Sequence, residues 1–185
     1  IAYAEPSFFR LFDFELLKGD KKTCLSMPGQ VVITERIASK YFKDEDPIGK
    51  IFIFTGAYDK ISCEVTGVMK EMPSNSHIHY SFLISYKSLP KYMQEYWYKH
   101  EAYTYVLLDS PERKAEIERE FPVMAEKYKT DEALKNKTWG VSLIPLADIH
   151  LTPQVGYEAE TKGNRSSMIA LICLLYTSPS PRDRT

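Results

Sequence analysis

Apolar residues along this chain fall in short blocks separated by polar turns, and the blocks change period from one to the next. Val31-Val32-Ile33 is a continuous apolar triplet suited to a buried strand. Thr34 stands where an N-cap belongs, ahead of Ile37, Ala38, Tyr41 and Phe42 at helical spacing, so a strand feeds directly into an amphipathic helix. Upstream, Ala4-Glu5-Pro6-Ser7 followed by Phe8, Phe9, Leu11 and Phe12 predicts a short helix with proline in its first turn, packed against Phe14, Leu16 and Leu17. Asp44-Glu45-Asp46-Pro47-Ile48-Gly49-Lys50 is turn chemistry, in which proline fixes one backbone angle and glycine supplies an unusual one. Ile51 to Phe54 and Cys63 to Met69 then read as hairpin strands.

Beyond a second turn at Pro73 to Ser76, residues 79–88 alternate, with Tyr80, Phe82, Ile84 and Tyr86 on one face, which predicts a half-buried strand. Residues 90–100 have no clear period. Tyr103 to Leu108 predicts a strand, and Ser110-Pro111-Glu112 opens a helix whose inner stripe is Ile117, Phe121, Met124 and Tyr128, with a kink or break at Pro122. Val141 to Leu151 and Val155 to Glu160 complete the set as strands. Mixed strands and helices with antiparallel hairpins make the fold class α+β.

Composition narrows the function. Of 185 residues 44% are hydrophobic, enough to fill a core and to set aside disorder. A net charge of −1 with both signs interspersed leaves no electrostatic footprint for nucleic acid. Gly49-Lys50 lacks the upstream glycine and the following hydroxyl of a phosphate-binding loop. His77 and His79, with His150 as a conceivable third ligand, could serve a soluble zinc-dependent enzyme, although a polar strand edge after a turn is the plainer reading. Cys24 and Cys63 read as small buried hydrophobes rather than a disulfide. The aromatic run Tyr92, Tyr96, Trp97 and Tyr98 is a candidate interface, because aromatic side chains bury much area at low entropic cost.

At the start of the chain there is no basic and apolar leader, and the sequence is expected to begin in mid-protein. Residues 164–172, polar and then Met168-Ile169-Ala170-Leu171-Ile172, are expected to begin a membrane helix. Residues 173–185 resemble the translation of a sequencing adapter.

Five stretches carry a family resemblance: AEPSFFRLFDFELLKGD from Ala4, VVITERIASKYFKDEDPIGK from Val31, VTGVMKEMPSNSHIHYSFLIS from Val65, YTYVLL from Tyr103 and LIPLADIHL from Leu143. Together they resemble the extracytoplasmic domain of ABC-transporter permeases of the MacB/FtsX-like superfamily, of the kind abundant in Bacteroidota. The second stretch is the most specific, and Thr34, Asp46, Pro47, Gly49 and Lys50 are its structural landmarks. Lys43 departs from the pattern, which usually has glycine there, so a left-handed residue at that helix end would strain the lysine.

The resemblance implies a two-lobed periplasmic core domain over residues 1–163, with a mixed sheet and a few amphipathic helices, belonging to an inner-membrane protein. It implies no active site and no cofactor in this chain, and partners in an ABC ATPase subunit or domain, a second permease copy, and a periplasmic adaptor or lipoprotein. Export or extraction of an amphipathic cargo is the function it suggests. The alternative within the superfamily is an FtsX-type regulator of a cell-wall hydrolase.

Overall fold

The computed structural model describes residues 1–56, 60–94, 102–128 and 135–149. Six strands form one mixed sheet: β1 (Ala2–Ala4), β2 (Leu16–Lys18), β3 (Gln30–Thr34), β4 (Ile51–Thr55), β5 (Lys60–Met69) and β6 (Phe82–Ser85). Their order is β1-β6-β3-β5-β2, with β4 paired to β5 alone among the described residues. The β1–β6 and β3–β5 pairs are parallel, whereas β3–β6, β2–β5 and β4–β5 are antiparallel. Helix α1 (Phe8–Leu11) follows β1, α2 (Glu35–Phe42) follows β3, α3 (Lys91–Gln94) follows β6, and α4 (Arg113–Tyr128) is the longest.

The sheet separates two cores, and strand alternation sorts the residues between them. Val32 and Leu83 face a cluster with Phe9, Phe12, Cys24, Leu25 and Met69, whereas Val31, Ile33 and Ile84 face Ile37, Cys63, Val65 and Val68. Val65 and Val68 share a face although three positions apart, because the β3–β5 register slips between Val31 and Val32. Such a slip inserts one extra residue and resets the pleat. Gly67 lies at this irregularity, where an added Cβ would come within 3.1 Å of Val32 and 3.2 Å of the Lys18 carbonyl.

The connection from Asp20 to Gly29 has no strand or helix of its own, yet Cys24 and Leu25 are buried beneath it. Side-chain hydroxyls hold it: Thr66 on β5 donates to the Cys24 carbonyl, Ser85 on β6 donates to the Leu25 carbonyl at 2.9 Å, and the Gly29 N–H donates to Ser88, in the 3-10 turn after β6, at 2.9 Å. Asp20 accepts from the Lys22 and Thr23 amides and starts the turn.

Several expectations need correction. The predicted strand over 79–88 is shortened to Phe82–Ser85 and buried on both faces, because β1 and β3 flank it and both cores cover it. Residues Tyr103 to Leu108 and 141–149 form no strand. Tyr105 meets the first core as a single ring against Phe12, and the Leu143 amide is taken by the Glu118 carboxylate at 2.7 Å, so the segments are held by individual contacts. Helix α4 runs across Pro122 without a break, since proline removes one amide donor while the flanking turns keep theirs. Among its described side chains the buried one is Ala125, and Met124, expected inside, is exposed. Leu17 and Tyr41, also expected inside, are exposed. The Val155 to Glu160 prediction lies outside the described residues.

Candidate functional site

The region with the most specific sequence signal joins α2 to β4. Helix α2 ends at Phe42, and the Glu45 amide returns to the Phe42 carbonyl at 2.9 Å. Lys43 occupies the second position of this turn with φ 52 and ψ −111, the type II′ geometry that favours glycine. Lys43 is the one non-glycine residue with positive φ among the described residues.

A second turn follows at once. The Lys50 amide donates to the Pro47 carbonyl at 3.1 Å with Gly49 at φ +80, and the Gly49 amide donates to the Val65 carbonyl at 2.9 Å. Positive φ at the third turn residue is the type II requirement, met by glycine without strain. Asp46 Oδ1 accepts from the Lys18 ammonium at 3.0 Å and from the Ile48 amide at 3.2 Å. These bonds, the lysine first, hold its carboxyl below the usual range. Lys50 pairs with Glu45 at 2.7 Å, which lowers the Glu45 carboxyl in the same way. Asp46, Pro47, Gly49 and Lys50 thus share one structural unit, tied to β2 through Lys18. Lys18 escaped the sequence reading because its partner lies 28 positions away.

Thr34 takes the expected position with extended backbone at φ −76, but its hydroxyl makes no cap bond. The residue is also the last rung of β3, opposite Met69, so the pleat turns its side chain inward. Oγ1 is buried with no hydrogen-bond partner among the described residues.

Strand β4 emerges from the double turn with two unlike faces. Phe52 and Phe54 point inward, each edge-to-face with Phe82 at 5.4 and 5.3 Å, and Phe42 and Tyr41 close on Phe52. Ile51 and Ile53 point outward and are 56% and 68% exposed. The unbroken apolar run Ile51 to Phe54 gave no hint of this asymmetry, because a run without alternation reads as a strand buried on both sides.

His77 Nε2 meets the Tyr105 hydroxyl at 2.9 Å, and His79 Nε2 donates to the Pro73 carbonyl at 2.9 Å. Residues 77–79 are not in a strand, so the strand expected to set the two imidazoles on one face is not formed. No cluster of metal-ligating side chains occurs among the described residues. His150 lies outside them. Of the aromatic run, Tyr92 sits exposed on α3, and Tyr96, Trp97 and Tyr98 lie outside the described residues. Cys24 and Cys63 are buried free thiols in opposite cores, as small hydrophobes would be.

The sequence pattern of the MacB-like periplasmic core domain matches residues 1–122, about two thirds of the chain. The chain belongs to this family. Among solved structures, this periplasmic core domain is similar to a domain of a protein described as a permease from Porphyromonas gingivalis. The TM-score is 0.59 at 20% identity, over 83% of this chain and 67% of that one, and it bears on the fold alone. The periplasmic region of MacB from Actinobacillus actinomycetemcomitans overlaps less, at TM-score 0.35 and 21% identity, over 45% of this chain and 36% of that one. No curated protein matches the chain significantly. A MacB-like periplasmic core domain is thus built here on a mixed six-stranded sheet. No helix among the described residues is long and apolar enough to cross a membrane.

Proposed function

We propose that this domain is the periplasmic part of an inner-membrane ABC-transporter permease and works by contact and motion, with no active site or cofactor of its own. A separate cytoplasmic subunit or domain hydrolyses ATP. The permease acts as a pair of copies, and the periplasmic domain passes the resulting movement to an amphipathic cargo or to an adaptor or lipoprotein beside it. Membership of the family over residues 1–122 is the observation that carries this reading. Two features support a mechanical role. The sheet is stiffened by two cores on opposite faces, and the double turn from Lys43 to Lys50 ties helix, β2, β4 and β5 into one unit through paired side chains and main-chain bonds.

The genomic locus tests the proposal. The frame across Ser166 to Ile172 is expected to continue into a membrane-length apolar segment, with an ABC ATPase in the same or a neighbouring gene. A frame that runs into a polar soluble tail, with no ATPase nearby, overturns it. A cell-wall hydrolase as the neighbour in place of an adaptor or outer-membrane channel would assign the protein to regulation rather than transport.

A further inference from the structure

Residues 102–108 form an irregular strap that reaches the first core through Tyr105. On either side of that residue side chains turn to solvent: Tyr103 is 51% exposed, Val106 52% and Leu107 75%. The Tyr105 ring sits edge-to-face on Phe12 at 4.8 Å and against the His77 imidazole at 5.3 Å, and its hydroxyl meets His77 Nε2 at 2.9 Å. Phe12 and His77 are themselves 5.6 Å apart, so the three rings close a triangle. Two of its corners are fixed without the third. Phe12 is buried beside Phe8 and Phe14, at 5.1 and 5.9 Å, and Ile78, next to His77, is buried in the same core. The third corner, Tyr105, stands on backbone flanked by the exposed side chains of the strap.

We propose that the strap is a latch: residues 102–108 move away from the sheet as a unit when the Tyr105 ring leaves its seat between Phe12 and His77, while the sheet and both cores stay folded. Local opening costs less than global unfolding wherever few apolar contacts must be broken. Here one ring is withdrawn, and its hydrogen bond is exchanged for bonds from the hydroxyl and the imidazole to water. Phe12 and His77 are held by their own neighbours, so the seat keeps its shape and the latch can close again. Asp109 to Glu112 lead from the strap into α4, so closing the latch fixes the start of that helix against the sheet. Its use in passing movement through the domain rests on the permease reading, whereas the latch itself does not.

Nitration of the full chain by tetranitromethane, followed residue by residue by mass spectrometry, tests the latch with Tyr103 as the exposed reference. In the wild type Tyr105 is expected to react roughly tenfold more slowly than Tyr103. Its rate should rise only weakly with sub-denaturing urea, because local opening exposes little surface. Phe12→Leu keeps an apolar side chain and removes the ring contact, so it should speed Tyr105 several-fold while β3 and β5 stay protected from hydrogen exchange. His77→Leu removes the partner of the hydroxyl and should speed it roughly fivefold. Tyr105 reacting as fast as Tyr103 in the wild type would show that the latch is not closed. A urea dependence as steep as that of global unfolding, which needs no variant to measure, would show that the seat opens only with the sheet. Unchanged rates in both variants would show that Phe12 and His77 do not hold the ring. Any of these results overturns the proposal, and none bears on the permease reading, which stands or falls on the locus.

Discussion

Thr34 and Gly49 show how differently single residues act on the same α2–β4 connection. The Thr34 hydroxyl is buried with no partner among the described residues, a cost of about 1–3 kcal/mol by the usual penalty for an unmade hydrogen bond. Valine keeps the shape and removes the penalty, so Thr34→Val is expected to raise the urea midpoint. A capping threonine would behave oppositely and lose about 0.5–2 kcal/mol on removal, so the sign of the change separates the two roles. At Gly49 space is not limiting, because a Cβ would meet only the Glu64 carboxylate at 3.9 Å. The constraint is φ +80, which a β-branched side chain resists. Gly49→Val should cost about 1–3 kcal/mol, a shift of several degrees in melting temperature for a chain of this size. Equal melting temperatures for the two proteins would mean that the turn relaxes without cost. Lys43, at positive φ one turn earlier, carries a strain that Gly49 avoids.

At the scale of elements, the sheet depends on side-chain bonds that hold irregular backbone against it. Ser85 on β6 reaches across to the Leu25 carbonyl, and both residues are fully buried. Ser85→Ala leaves that carbonyl without its hydroxyl donor and should cost about 1–3 kcal/mol. Hydrogen exchange is expected to accelerate first in residues 20–29 rather than in β3. Acceleration spread evenly over the sheet would show that the bond does not pin the loop. These long-range ties also explain which elements could be read from sequence. The series β3, α2, β4 and β5 was legible because period, proline and glycine mark it locally. β1 and β2 were not, since three-residue segments become strands only through β6 and β5, far along the chain. The strand expected over Tyr103 to Leu108 failed for the converse reason: one ring, Tyr105, takes the buried contact and no neighbouring strand among the described residues supplies a ladder. In the candidate site, Pro47 and Gly49 announced the turn, whereas the exposed face of β4 with Ile51 and Ile53 was hidden because exposure is a property of the whole sheet.

For the molecule as a whole, both cores hold groups that ionise only in alkali. Cys24 lies in one core, Cys63 in the other, and Tyr105 packs against the first. Burial pushes the Cys24 thiol from 9.0 up to about 11, pushes Tyr105 from 10.0 up to about 12, and raises Cys63 as well. Between the ordinary and the raised values the unfolded chain has released protons that the folded chain retains. The folded state therefore binds more protons, and stability falls as pH rises through this window. The contribution is fully present below about pH 9 and is lost progressively towards pH 11 for Cys24, on the order of 3 kcal/mol for a two-unit shift. Urea midpoints at neutral pH and at pH 10 should differ in that direction. Lysines and other tyrosines titrate in the same range, so the decisive measurement is the difference between wild type and Cys24→Ala. The variant loses packing at every pH, but its decline into alkali should be shallower because one proton-linked group is gone. Parallel declines for the two proteins would mean that the Cys24 thiol ionises as easily inside the core as outside it.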